Sequence, residues 1–278
     1  MGGGGFSMEP GNPLLDQFVL SLARTPHPRV CFVATASGDP DRYVAMFYRA
    51  FSAFDCRPSD LALFSRTVGD LESFVLDQDV IYVGGGNTAN LLAVWRVHGL
   101  DRILRRAWEQ GTVLCGLSAG MNCWFETSVT DSFDLARLRP LHDGLGFLPG
   151  SCCPHYDGEE QRRPVFQRLV ESGEVGGGRA ADDGAALVFH GETLHEVVTS
   201  RPGAAGYRVE RSADGEVAER PLQTRYLGLD ASTGSRWDSI ARRTKGVIFR
   251  PGRSSRRWIP TPAPSCRSMS SGLKSPVT

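Results

Sequence analysis

The stretch "VLCGLSAGMN", Val113–Asn122, sets a serine between two glycines directly after a short apolar run and before a helix-like segment. Around Ser118 it fits G-x-S-x-G. In a nucleophile elbow the serine occupies a strained strand-to-helix turn, where neighbouring side chains would clash and glycine is favoured. The hydroxyl then stands above the carboxyl end of a sheet. The N–H groups and dipole of the following helix face the oxyanion that develops on attack. A tight small-residue bend would give the same letters, so the strand–turn–helix context carries the reading.

Working outward, strand-like and helix-like segments alternate. "RVCFVATA" (Arg29–Ala36) reads as a buried strand and "DRYVAMFYRAFSAF" (Asp41–Phe54) has helical spacing of its apolar residues. "DLALF" (Asp60–Phe64) reads as a short strand and "DLESFVL" (Asp70–Leu76) as a helical turn or two. "DVIYVGGGNTANLLAVWRVHGL" (Asp79–Leu100) reads as strand, glycine turn and helix, "DRILRRAWEQG" as a further helix, and "TVLCG" (Thr112–Gly116) as the next strand. The pattern predicts an α/β fold of three layers, with a mainly parallel central sheet covered by helices on both faces. After Ala180, turn pairs such as His190-Gly191, Pro202-Gly203 and Asp214-Gly215 separate short strands. They predict a C-terminal region of antiparallel hairpins closing one edge of the sheet.

The 278 residues carry 31 basic and 31 acidic side chains, a formal net charge of zero. That balance hides an asymmetry, because Asp230–Thr278 holds ten Lys/Arg against two Asp/Glu, which leaves 1–229 with a net charge of −8. Residues 1–229 are therefore expected to form the folded domain. Residues 230–278, rich in Pro, Ser and Arg without an apolar period, are expected to be a disordered tail. An acidic body argues against nucleic acid as a partner. No apolar run approaches the roughly 18–20 residues that span a bilayer, and no basic-then-apolar leader opens the chain, so neither a membrane anchor nor a signal peptide is expected. The seven cysteines show no CxxC pairing, which predicts reduced thiols in the cytoplasm and no metal or other cofactor.

A serine nucleophile needs a base. Of the six histidines, His98 ends a helix, and His190 and His195 flank a hairpin turn. His155, in the loop "GSCCPHYDGEEQRR", is the favoured base, with His142 its rival. The acid that orients the imidazole is open among Asp131, Asp157, Asp182 and Asp183. "YVGGGNT" (Tyr82–Thr88) lacks both a following Lys-Ser/Thr and G-x-G-x-x-G, so phosphate binding is the weaker reading. The stronger reading is that one of its glycine N–H groups is a second oxyanion donor facing Ser118. Cys115 lies in the apolar strand before the elbow and is expected to be buried and inert.

Taken in order, "VGGGNT", "GLSAGMN", "PHYD" and "DDGAAL" resemble motifs of the serine peptidases that include dipeptidase E (aspartyl dipeptidase) and cyanophycinase. The fold of that family is similar to the class I glutamine amidotransferases, which carry cysteine at the elbow. The resemblance covers Met1 to about Leu229. It implies Ser118 as nucleophile, His155 as base, and the N–H groups of Gly85 and Ala119 as the oxyanion hole. Asp131 matches an aspartate important in dipeptidase E. Asp183 stands where family members often place a glutamate against the histidine; one methylene shorter, it requires the backbone to come closer. Asn87 and Thr88 match a stretch near the substrate amino end. Arg162 or Arg163 could fork onto a substrate carboxylate, although two surface arginines opening a helix are the plainer expectation.

The implied activity is a serine exopeptidase or dipeptidase acting on small peptides, with N-terminal aspartate as a candidate preference and a homodimer kept open as the assembly. A non-catalytic ligand-binding protein of the same fold is the alternative. The opening "GGGGFSMEPGNPLLD" also resembles the family's start without its leading strand. It is expected beside the "RVCFVATA" and "YVGGG" strands, with the true start upstream or the first strand missing.

Overall fold

A computed structural model of the chain describes residues 1–212 and 214–228. The expectation of a disordered tail from 230 onward lies outside the described residues.

A four-stranded parallel sheet carries the first half of the chain. Short helices α1 (Gly5–Met8) and α2 (Leu14–Ser21) precede β1 (Arg29–Val33). Then follow α3 (Asp41–Phe51), β2 (Arg57–Asp60), α4 (Leu71–Leu76), β3 (Val80–Val83), α5 (Thr88–His98), α6 (Leu100–Glu109) and β4 (Val113–Gly116). The strand order is β2-β1-β3-β4, all parallel. The apolar strands feed both faces, as period-two geometry requires. Val30, Phe32, Val80 and Tyr82 point into one core with Phe6, Phe18, Phe47 and Phe51 of α1, α2 and α3. Cys31, Val33, Ile81 and Val83 point into the other, with Leu91, Leu92, Trp95 and Leu104 of α5 and α6. The three expected layers follow from this alternation.

The strand expected at Asp60–Phe64 is displaced. The ladder runs over Arg57–Asp60, a polar edge segment, and ends where the apolar letters begin. Leu61 and Leu63 are buried as the chain turns away, with Leu63 N–H held by Asp39 Oδ2 at 2.6 Å.

After β4 the chain forms α7 (Ala119–Asn122), β5 (Phe125–Thr130), β6 (Arg139–Leu141), β7 (Leu148–Cys153), α8 (Arg162–Glu171), β8 (Gly178–Ala181), β9 (Ala185–His190), β10 (Thr193–Thr199), β11 (Gly206–Arg211), β12 (Val217–Pro221) and β13 (Thr224–Tyr226). One C-terminal hairpin, β11–β12, closes the edge of a mixed sheet, and the other lies in a sheet of its own. β9 and β10 pair antiparallel in a three-stranded sheet, β13-β10-β9. β11 and β12 join a six-stranded mixed sheet, β12-β11-β8-β7-β5-β6, in which β5, β7 and β8 run parallel. Phe166, Leu169 and Val170 of α8 seal this sheet against Val129, Cys153, Ala180 and Val209.

The glycine opening meets β3 at Gly5, whose Cβ position lies 2.4 Å from the Tyr82 hydroxyl, while Met1–Gly3 lies against the carboxyl end of β4. Met1 N donates to Gly116 O at 2.8 Å, and Ser118 N–H to Met1 O at 3.3 Å. On its other side Gly2 N–H donates to Ala185 O at 3.0 Å, and Gly184 N–H to Gly3 O at 3.1 Å. Met1–Gly3 thus bridges the carboxyl end of β4 and the turn before β9. Phe6 then turns back onto Phe32 and Tyr82, with ring centroids 5.4 and 5.5 Å away.

Candidate active site

The candidate residues leave the carboxyl ends of parallel strands, β3 and β4 in one sheet and β5, β7 and β8 in the other, and α/β folds place ligands at such ends. Gly84–Gly86 follows β3 and Ser118 follows β4. Asp131 follows β5, His155 follows β7 and Asp183 follows β8.

Ser118 has φ 56° and ψ −115°, a left-handed backbone that a non-glycine residue adopts only under strain. The flanking glycines are required by backbone contact. A Cβ at Gly116 would lie 2.5 Å from Gly120 O, and one at Gly120 would lie 2.3 Å from Val83 O. The turn therefore folds tightly onto β3, and α7 starts at once. Ala119 N–H, the first of α7, carries no hydrogen bond among the described residues. Gly85 faces the elbow, since a Cβ there would lie 3.3 Å from Ser118 Cβ. Its N–H donates at 3.3 Å to the Tyr43 hydroxyl.

His155 Nδ1 lies 2.6 Å from Asp183 Oδ1. His155 is buried and also has positive φ, 52°. The histidine's hydrogen bond holds the Asp183 carboxyl below its ordinary range, against the opposing effect of burial. Asp183 is packed in by glycine backbone: a Cβ at Gly3 would lie 2.1 Å from its Oδ1, and one at Gly158 would lie 2.0 Å from its Oδ2. Gly3 also backs the imidazole, its Cβ position being 3.0 Å from His155 Cε1. The segment Met1–Gly3 thus touches both the elbow and the His155–Asp183 pair. No hydrogen bond joins Ser118 Oγ to His155 among the described residues, a contact often loose before substrate binds.

The other acid candidates have different surroundings. Asp182 is buried and accepts from Ala205 N–H at 2.9 Å and the Tyr207 hydroxyl at 3.2 Å. Asp157 accepts from Asp183 N–H at 2.8 Å and pairs with Arg201. Asp131 lines a cavity of about 260 Å³ together with Arg137, Glu159 and Glu160. His142 is exposed just past β6.

Asn87 caps α5 by accepting from Asn90 N–H at 2.9 Å, and its amide donates to Ser132 O at 2.8 Å. Thr88 is buried and its hydroxyl accepts from Asn122 Nδ2 at 3.2 Å. Both side chains are engaged within the fold. Arg162 is not a surface residue: it is buried, with Nε 2.7 Å from Glu159 Oε2 and Nη1 donating to Val129 O at 3.0 Å. Arg163 pairs with Glu219. Neither presents a free fork. Cys115 is half-buried where a buried residue is expected, and desolvation still pushes its thiol up. Among the described residues no cluster of three or more His, Cys, Asp or Glu is placed to hold a metal ion.

Sequence reasoning missed Arg201, Asn122 and the glycines at 3 and 158. Asn122 Nδ2 donates to Thr88 Oγ1 and Val129 O, tying α7 to α5 and β5. Only a polar letter inside an apolar helix pointed to it.

The model of peptidase family S51 matches residues 1–197. The chain belongs to peptidase family S51. As a member of this family it is a serine peptidase. It is 54% identical over 229 residues to the uncharacterized peptidase YgaJ of Bacillus subtilis (strain 168), covering 82% of this chain and 97% of that protein. Peptidase E of Citrobacter koseri is 31% identical over 119 residues, 40% of this chain and 52% of that one. A probable alpha-aspartyl dipeptidase of Drosophila melanogaster is 30% identical over 128 residues, 46% of this chain and 52% of that one. The crystal structure of a peptidase from an acI-B1 Actinobacterium shares the fold of this S51 member, with a TM-score of 0.62 at 18% identity over 81% of this chain and 92% of that one. No helix among the described residues is long and apolar enough to cross a membrane.

Proposed function

We propose that this S51 peptidase is an exopeptidase of small peptides that works through Ser118, His155 and Asp183. The observation that carries the reading is the 2.6 Å contact of His155 Nδ1 with Asp183 Oδ1, linked through Met1–Gly3 to a serine at φ 56°. With the carboxylate accepting from Nδ1–H, the imidazole Nε2 is left as an acceptor. Nε2 takes the Ser118 proton as Oγ attacks the scissile carbonyl, and Asp183 stabilises the imidazolium that results. The N–H groups of Gly85 and Ala119 receive the oxyanion, with Gly85 exchanging its 3.3 Å bond to Tyr43 for the stronger charged acceptor. His155 then protonates the leaving amine, and water repeats the sequence to release the acyl group.

The cavity beside Asp131, which neither Ser118 nor His155 lines, suits the outer end of a zwitterionic substrate, since it offers Asp131 and Glu160 against Arg137, with Glu159 engaged by Arg162. Arg137 is exposed, and with Arg162 and Arg163 engaged it is the cation of choice for a substrate carboxylate, including an aspartyl side chain. Asp131 acts here on substrate rather than on His155, and Asn87 and Thr88 act on the substrate amino end through the backbone they fix. The six described cysteines are free thiols, which fits a reducing cytoplasm.

A dipeptide panel with varied N-terminal residues, run on wild-type and Ser118→Ala protein, tests the reading. Turnover in the wild type and a loss on the order of 10³-fold or more in Ser118→Ala is expected. Equal turnover by both proteins rejects the serine mechanism.

A further inference from the structure

Asp183 sits in the tight turn between β8 and β9, and both of its peptide groups are held from outside that turn. Its N–H donates to Asp157 Oδ1 at 2.8 Å. Its carbonyl accepts two bonds from Arg201, from Nε at 3.2 Å and Nη2 at 2.8 Å. Arg201 Nη2 also pairs with Asp157 Oδ2, which closes the circuit. Asp157 lies two residues beyond His155 on the same loop. Arg201 comes from the far end of the β9–β10 hairpin, where its N–H donates to Thr199 Oγ1 at 3.1 Å and its carbonyl accepts from that hydroxyl at 2.7 Å.

We infer that Asp157 and Arg201 form a positioning clamp that fixes the Asp183 peptide, and so aims its carboxylate at His155. The inference rests on the serine reading above. Three features separate this pair from an ordinary surface ion pair. It bonds the N–H and the C=O of one residue, and so holds the two peptide units that flank the Asp183 Cα, whereas a surface pair bonds only its own partner. It joins the loop of the base to the turn of the acid. It also stands where the acid has no slack, because Gly3 and Gly158 leave Asp183 Oδ1 and Oδ2 almost no room to shift.

The side chains of Arg201 and Asp157 are 45% and 32% exposed, so solvent screens their mutual attraction and the pair adds little to global stability. What it restrains is local. Misplacing a catalytic group by about 1 Å can cost about 10²-fold in rate. Arg201 loses most of this on truncation. Lysine keeps the charge but lacks the planar fork that meets the Asp183 carbonyl through two donors.

The test is the second-order rate at which a fluorophosphonate labels Ser118, which needs no knowledge of the natural substrate. Arg201→Ala and Asp157→Ala are each expected to label about 10- to 100-fold more slowly than wild type, with cooperative melting retained. Arg201→Lys is expected to fall between wild type and Arg201→Ala, a graded rescue that a purely structural role would not give. In an Asp183→Asn background, Arg201→Ala is expected to cost no more than about threefold further, because residues acting through one another are not additive. Two variants on different elements guard against one of them failing to fold. Labelling of Arg201→Ala and Asp157→Ala at the wild-type rate overturns the clamp, as does an undiminished further loss in the Asp183→Asn background. A wild-type chain that is not labelled overturns the serine reading, and the clamp falls with it.

Discussion

His155 Nδ1 and Asp183 Oδ1 stand 2.6 Å apart although 28 residues separate them in the chain. They meet because β7 and β8 are neighbouring parallel strands, with Cys153 opposite Ala180, and each residue follows its strand's carboxyl end. Asp131 leaves β5, on the other side of β7 from β8. The sheet thus offers His155 one carboxylate on either side, and the turn "DDG" brings Asp183 to it.

Asp183→Asn keeps the shape of the side chain but turns an amide toward the histidine. By stabilising the wrong tautomer it is expected to lower kcat about 10²- to 10⁴-fold. Asp131→Asn is expected to act mainly on KM. Steady-state kinetics on one dipeptide separates the two, and the reverse ranking would assign the acid to Asp131.

Gly158 is exposed, yet its Cβ position lies 2.0 Å from Asp183 Oδ2. Gly158→Ala must push the carboxylate away from His155. A drop in kcat of about 10²-fold, with unchanged melting, is the expected result. Wild-type kcat in this variant would mean that the carboxylate has room to spare.

Ser118 holds a strained φ of 56°, so under the proposed mechanism function and stability conflict at one residue. Ser118→Gly relieves strain of about 1–3 kcal/mol, offset in part by glycine's larger loss of chain entropy. Thermal melting is expected to rise while activity disappears. A lower melting temperature would argue that the elbow is unstrained.

Asp16 is buried beneath the glycine opening, where the Tyr82 hydroxyl donates to its Oδ1 at 3.1 Å. Burial pushes its carboxyl up to about 7, with Glu9 adding to the rise and the Tyr82 bond opposing it. The folded chain therefore binds this proton more tightly than the unfolded chain does. The contribution to stability is full below the unfolded value near 4 and is lost as pH rises through about 7. Asp16→Asn removes the ionisation. Its melting temperature relative to wild type is expected to increase from pH 5 to pH 8, with a limiting gain on the order of a few kcal/mol. A difference that does not change with pH would show that Asp16 does not titrate in this range.

Much of this architecture is legible in the letters. The apolar runs at β1 and β3 are fully or mostly inside and that at β4 is half-buried, and their alternate residues feed two cores, so period and composition suffice. The elbow is legible because the contacts of Gly116 with Gly120 and of Gly120 with Val83 leave no space for a side chain, which forces a local pattern. β2 is not legible because Leu61 and Leu63 are apolar for burial beyond the ladder, while the ladder itself is the polar edge "RPSD". The place of Met1–Gly3 is not legible, because its neighbours, β4 and the turn before β9, are set by topology and not by nearby sequence; Gly5 and Phe6 lie against β3 and β1 as expected. Arg201 sits in "SRPG" and reads as a turn residue. Its contact with Asp183 exists only once the β9–β10 hairpin folds back across 18 positions.

The central claim is that Ser118 is activated by His155. The most direct measurement is to treat wild-type, Ser118→Ala and His155→Ala proteins with a fluorophosphonate and map the adduct by peptide mass spectrometry. A single adduct on the peptide that contains Ser118, absent from Ser118→Ala and reduced on the order of 10³-fold in rate in His155→Ala, is the predicted result. An adduct on another residue, no adduct in the folded wild type, or an undiminished rate in His155→Ala would contradict it.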